Sequence, residues 1–114
     1  MSKTIEEIQK EVDVWVNQFE KPYFSPLSQL ASITEELGEV SRILNILYGD
    51  KNAKDGESIK ELEEELGDLF FCLVCIANQH NISLENAHNI KMNKSYGRDN
   101  FRFQRKENDQ NIIG

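Results

Sequence analysis

The sequence predicts an all-α fold: an antiparallel four-helix bundle that oligomerises through helix packing. Three observations predict it. Apolar residues recur at three- and four-residue steps in four successive segments, the period of a helix and not of a strand. Pro22 and Pro26 sit together between the first two segments, and Gly49 and Gly56 bracket a polar stretch between the second and third. The second half of the third segment is apolar nearly all round, more surface than one small bundle has to cover, so a homo-oligomer is expected.

The first segment runs from Thr4 to Glu20. Ile5, Ile8, Val12, Trp15 and Phe19 share one face, and Thr4 with Glu7 reads as a capping box. Core packing is expected for Trp15 and Phe19. The second opens at Ser25-Pro26, an N-cap followed by proline at the first helical position, and Gly49 is its expected stop. Its stripe is Leu30, Ile33, Leu37, Val40, Leu44 and Leu47. The third opens at Ser58, with Glu61 completing another capping box, and carries Ile59, Leu62, Leu66, Leu69, Leu73 and Ile76. Beyond Phe70 it should be buried on every side. The fourth starts at Ser83 and runs to about Arg98. Residues 1–98 read as one helical domain and residues 99–114 as a C-terminal extension, ordered at Phe101 and Phe103 and frayed after them.

The chain of 114 residues has room for one core. Twenty acidic against thirteen basic side chains give a net charge of −7, the wrong sign for a domain that binds a nucleic acid duplex by phosphate attraction. The longest apolar run, Leu69 to Ala77, is far short of the roughly 20 residues of a membrane helix. The amphipathic start MSKTIEEIQKE reads as helix and not as a secretory leader. Two cysteines are too few for a disulfide scaffold, so a reduced, cytoplasmic setting is expected, with neither nucleic acid nor membrane as partner.

An internal echo carries the functional information. Glu35-Glu36-Leu37-Gly38-Glu39-Val40 in the second helix is repeated 29 residues on as Glu64-Glu65-Leu66-Gly67-Asp68-Leu69. At about 100° per residue, Glu36 and Glu65 lie at the edge of their apolar stripes, with Glu39 and Asp68 close to one turn further along. Two facing helices then bring four carboxylates together. Two like charges about 5 Å apart repel by roughly 3 kcal/mol at an effective dielectric near 20. Either the groups take up protons or a divalent cation sits among them, and an all-oxygen set suits Mg²⁺ or Mn²⁺. Gly38 and Gly67 each cost roughly 1 kcal/mol relative to alanine in mid-helix, and close helix packing on another edge is their expected purpose.

Glu35-Glu36-x-x-Glu39 followed by Glu65-x-x-Asp68 resembles the EExxE…ExxD signature of the MazG-like nucleoside triphosphate pyrophosphohydrolases. The likeness runs to about Arg98 and takes in the lead-in Tyr23-Phe24-Ser25-Pro26-Leu27. It implies a helical dimer or dimer of dimers with Mg²⁺ as cofactor. The implied reaction cleaves a nucleoside triphosphate between the α and β phosphates, giving the monophosphate and pyrophosphate. Glu36, Glu39, Glu65 and Asp68 are the implied metal ligands, and Glu35 binds a second ion or orients the attacking water. Lys94 and Arg98, one turn apart with Lys91 beside them, match the family's Lys-x-x-x-Arg and are the implied phosphate clamp.

Other motifs read more plainly. Cys72-Leu73-Val74-Cys75 lies inside an apolar helix and reads as a buried structural pair. Glu85-x-x-His88 is half of a di-iron motif whose other half is missing, because Ala77 precedes His80 by three. One of Trp15, Phe19, Tyr23 and Phe24 is available to stack on a base. The stretch RDNFRFQRK suits packing on a neighbouring subunit or contact with phosphates. The competing reading is a non-catalytic helical module that oligomerises or regulates a partner, with a structural ion in the acidic cleft.

Overall fold

The computed structural model describes residues 2–50 and 58–106. It contains four helices, α1 (Ile5–Val16), α2 (Pro26–Tyr48), α3 (Ile59–Gln79) and α4 (Leu84–Tyr96), with no strand among the described residues. The all-α expectation holds. Of the frayed end expected after Phe103, residues 107–114 lie outside the described residues, as does Gly56.

Local chemistry sets the helix ends. Thr4 accepts from the Glu7 amide at 3.1 Å, and Glu7 accepts from the Thr4 amide at 2.9 Å, so the first capping box forms. That pairing holds the Glu7 carboxyl below the usual range, through the Thr4 backbone bond first. α1 stops at Val16, short of the expected Glu20. Asn17 ends it by donating its side-chain amide to the Asp13 carbonyl at 2.7 Å and to Asp13 Oδ1 at 3.1 Å. α2 begins as expected, with Ser25 accepting from the Ser28 amide and Pro26 first in the helix. It ends at Gly49, where a Cβ would lie 2.5 Å from the Asn45 carbonyl oxygen. α3 begins after Ser58, but no side-chain bond caps it. Glu61, the expected partner, instead accepts from Arg42 at 3.3 Å. α4 is capped by Ser83, which accepts from the Asn86 amide at 3.1 Å.

α2 and α3 run antiparallel: Arg42 meets Glu61 toward one end of the pair and Gln29 meets Gln79 toward the other. α1 lies against α3, joined by Gln9 to Asn78 and by Trp15 to Phe71. α4 starts against α1, where Gln9 Oε1 accepts from the Leu84 amide at 2.9 Å.

The inner face of the hairpin is turned by one residue from the expected stripe. On α2 it follows Gln29, Ile33, Glu36, Val40 and Ile43, all buried or half-buried, and on α3 Leu62, Glu65, Leu69, Cys72 and Ile76, all half-buried. Four of the five in each line match at the same offset of 29. Ile43 and Val74 are fully enclosed, each worth about 1.5–3 kcal/mol of apolar burial.

A second pair of lines stays outside. Leu30, Leu37 and Leu44 on α2, and Ile59, Leu66 and Leu73 on α3, are exposed. This corrects the expectation that they form the core: an apolar arc wider than one contact leaves its far edge uncovered. The far half of α3 is likewise not buried on every side, since Phe70 and Phe71 are exposed while Val74, Cys75 and Ala77 are buried. Nor do Trp15 and Phe19 enter the core, being 53% and 51% exposed. Among the described residues Gly38 and Gly67 allow no close approach, for a Cβ at either meets nothing within 4 Å.

Candidate active site

The hairpin brings the echoed acids together. Glu36 from α2, and Glu65 and Asp68 from α3, each place a carboxylate oxygen within 4.8 Å of the others. Glu36 and Glu65 are half-buried because they lie in phase with the inner faces, and Asp68 is exposed. Burial first, then the charges of Asp68, Glu35 and Glu39, raises the Glu36 carboxyl above its ordinary value. Glu65 is raised by burial first, then by Asp68, Glu39 and Glu36, with Arg42 pulling the other way. A donor set made only of crowded carboxylate oxygens, with Glu36 and Glu65 raised against ionising, fits a hard divalent ion.

The fourth expected ligand stands apart. Glu39 Oε2 accepts from Arg42 Nε at 3.1 Å, and the same guanidinium reaches across to Glu61. Glu39 is still close enough to act on the charges of Glu36 and Glu65. Arg42 was not singled out in the sequence, although its place three residues beyond Glu39 was a signal for an intrahelical pair. Glu35 is exposed on the flank of the group.

The basic residues lie elsewhere in the chain. Around the turn after α4, Asp99 pairs with Arg98 at 3.0 Å, Arg102 at 3.8 Å and Lys91 at 3.9 Å. Its bond from Arg98 holds the Asp99 carboxyl below its ordinary range and raises Arg98 in turn. Lys94 is exposed on the same helix. Among the described residues no ion pair joins Lys91, Lys94 or Arg98 to the acidic group. The following residues fold back on themselves, with Arg102 over the Phe103 ring and Arg105 over the Phe101 ring.

A cavity of about 430 Å³ opens beside the acids. Ser32, one turn before Glu36, and Cys72, one turn after Asp68, are part of its wall. Burial and the charges of Glu36, Asp68 and Glu35 push the Cys72 thiol up, which marks how near the two features are. Trp15, Phe19 and Phe71 supply aromatic surface, with Trp15 edge-on to Phe19 at 5.0 Å and to Phe71 at 6.0 Å between centroids. The half-exposure of Trp15 and Phe19 is therefore exposure toward a cleft.

The lead-in between α1 and α2 is pinned over this cleft. Tyr23 donates to Asp13 Oδ1 at 2.6 Å and accepts from Asn78 at 3.2 Å. Burial first and the Asp13 bond second push its hydroxyl up to about 12. Cys75, deeper in the wall, is pushed up to about 11 by burial. Both cysteines are free thiols held protonated, as a structural pair should be. A more polar groove of about 550 Å³ between α1 and the α3–α4 turn includes Asn78 and Asn81. It lies about 15 Å along α3 from the acids. His80 faces the Ile76 carbonyl and His88 is exposed, neither near the acidic group.

Comparison with known proteins follows the same lines. Residues 24–103 match the family described as the MazG nucleotide pyrophosphohydrolase domain. The uncharacterised protein YpjD of Bacillus subtilis (strain 168) is 51% identical over 105 residues, covering 92% of this chain and 95% of that one. The crystal structure of YpjD from Bacillus subtilis superposes with a TM-score of 0.78, covering 82% of this chain and 96% of its own. That of the Bacillus-conserved MazG protein, a nucleotide pyrophosphohydrolase, does so with a TM-score of 0.72 at 42% identity, covering 96% and 98%.

Proposed function

The chain belongs to the MazG nucleotide pyrophosphohydrolase family and is a hydrolase of phosphoric anhydrides, and from that premise we propose that it cleaves nucleoside triphosphates between the α and β phosphates. Water supplies the oxygen that bonds to phosphorus, the bridging bond breaks, and nucleoside monophosphate and pyrophosphate leave. The observation that carries this reading is the meeting of Glu36, Glu65 and Asp68 within 4.8 Å beside an aromatic-walled cleft. These three would hold Mg²⁺, or Mn²⁺ in its place, with Glu39 joining them on release from Arg42. When bound, the ion neutralises charge on the phosphates. Glu35, on the exposed flank, orients the attacking water and takes its proton. Lys94 and Arg98, with Lys91 beside them, hold the phosphate chain, Arg98 and Lys91 exchanging Asp99 for phosphate.

Residues 1–98 form the catalytic unit and 99–114 an extension. The exposed lines Leu30, Leu37, Leu44 and Ile59, Leu66, Leu73 support a homodimer or homotetramer. The work suits housekeeping of the nucleotide pool in the cytoplasm. No described helix is long and apolar enough to cross a membrane, and the net charge of −7 speaks against a nucleic acid partner. Family membership favours this reading over a non-catalytic module.

Purified protein with Mg²⁺ and a panel of triphosphates is expected to release pyrophosphate and not single phosphate. Glu36→Gln and Asp68→Asn should each abolish release while far-ultraviolet circular dichroism stays helical. Full activity in both variants would remove these carboxylates from the reaction.

A further inference from the structure

Of the polar side chains lining the cleft beside the acids, Gln29 is the one that is almost wholly buried, and the proposed reaction leaves it unused. Gln29 is 5% exposed and part of a wall to which Trp15, Phe19, Phe71 and the two cysteines give a largely apolar surface. A buried amide there requires an explanation, since a polar group without a partner costs about 1–3 kcal/mol.

Its orientation is set by a relay. Gln79 Nε2 donates to the Phe24 carbonyl at 2.7 Å, and a carbonyl only accepts, so the Gln79 amide has one orientation. Gln79 Oε1 then faces Gln29 and accepts from Gln29 Nε2 at 3.2 Å. Gln29 Oε1 is thereby turned away from Gln79, and no described residue donates to it. Nor is it sealed in protein. Among the described residues the one enclosed side-chain polar atom without a partner is Asn100 Nδ2. An open, unpaired acceptor on an almost wholly buried residue of this cavity's wall is in place to meet a ligand in the cavity.

We propose that Gln29 is the base-reading residue of this cleft, its Oε1 accepting a hydrogen bond from an exocyclic amine of the bound nucleobase. Cytosine and adenine present such an amine where uracil and hypoxanthine present a carbonyl, and two facing oxygens repel. The half-exposed Trp15 and Phe19 rings give the base its apolar surface, while the acids, about two turns along α2 from Gln29, set where the phosphates lie. This inference rests on the chain being a nucleotide hydrolase. A site built to hydrogen-bond a group rejects the isostere that lacks it more strongly than an apolar site does.

The test is binding of two isosteric pairs, CMP against UMP and AMP against IMP, by calorimetry on the full chain with Mg²⁺. The amino member of each pair should bind about tenfold tighter or more. Gln29→Met, similar in volume without the acceptor, should bring each pair within about twofold, chiefly by weakening CMP and AMP. Gln79→Met should also narrow the gap, but by strengthening UMP and IMP, because the freed Gln29 amide can then turn its donor to a carbonyl. That second variant keeps the test decisive if the first does not fold. Equal binding within the pairs, tighter binding of UMP and IMP, or no binding of any of the four overturns the inference. Absence of hydrolysis across the triphosphates overturns the proposed function instead, whatever the monophosphates do.

Discussion

At the acidic edge of the hairpin, three carboxylates crowd within 4.8 Å while Arg42 spends its guanidinium on Glu39 and Glu61. At the turn after α4 the arrangement is inverted, with Lys91, Arg98 and Arg102 gathered about the single carboxylate of Asp99. The turn satisfies its charges with local partners and its ion pairs help fix the chain there. The edge holds like charges together against their repulsion, which a fold does not do for stability's sake. At the turn the cations already have a carboxylate partner in Asp99, whereas the edge offers carboxylate oxygens that could hold a metal ion.

The sharpest way to break this contrast is to remove single charges and read activity. If phosphates draw the cations of the turn toward the edge, Lys94→Ala and Arg98→Ala should each lower kcat/KM about 10- to 100-fold, the loss of a charge-assisted contact worth about 1.5–3 kcal/mol. Arg102→Ala should change it less than about threefold, because the clamp expected for this chain does not include Arg102. Equal effects at all three positions would make the turn a diffuse positive field and not a clamp.

Stability is expected to move in opposite directions at the two places. Glu36 and Glu65 have carboxyls raised above 4.5. A raised carboxyl contributes stability that is present at low pH and lost as pH rises through the folded value. Asp99 is lowered below 3.8, so its contribution is present at neutral pH and lost as pH falls through its folded value. In EDTA at pH 7, Glu65→Gln should therefore raise the melting temperature by a few degrees and Asp99→Asn should lower it. The gain from Glu65→Gln should shrink toward pH 5. Mg²⁺ should raise the wild-type melting temperature at pH 7 and raise it less at pH 5, since protons and the ion compete for the same oxygens. A Mg²⁺ effect independent of pH would place the ion elsewhere.

The acidic edge was legible in the sequence and its finish was not, for one physical reason. Glu36, Glu65 and Asp68 are brought together by helix phase and antiparallel pairing, which periodicity encodes. Glu39 shares that phase, but a long flexible neighbour, Arg42, holds its rotamer, and periodicity carries nothing about rotamers. The same guanidinium explains why the Thr4–Glu7 box formed and the Ser58–Glu61 box did not: Glu61 had a cation within reach across the hairpin. The aromatic cleft joins Trp15, Gln29 and Phe71 from three helices, a conjunction visible only once those helices pack. Gln29 did leave a trace. Gln29, Ile33, Glu36, Val40 and Ile43 step by four, three, four and three, a line whose two polar residues make it a weaker periodic signal than the all-apolar one beside it.

The smallest expected effect concerns the echoed glycines of the hairpin. A Cβ at Gly38 or Gly67 meets nothing among the described residues, so none of them requires glycine at either position. Alanine at either should stabilise the helix by about 0.5–1 kcal/mol, through lost freedom in the unfolded chain and better helix propensity. For a domain near this size that is roughly 2–8 °C in melting temperature. Gly49→Ala is the internal contrast, because there the added carbon runs into Asn45 and should destabilise. If Gly38→Ala and Gly67→Ala instead lower the melting temperature, and lower it more at low protein concentration, the backbone of a second copy lies against these helices. The acidic hairpin would then be a surface completed by another chain, in contrast to a turn after α4 that satisfies its charges alone.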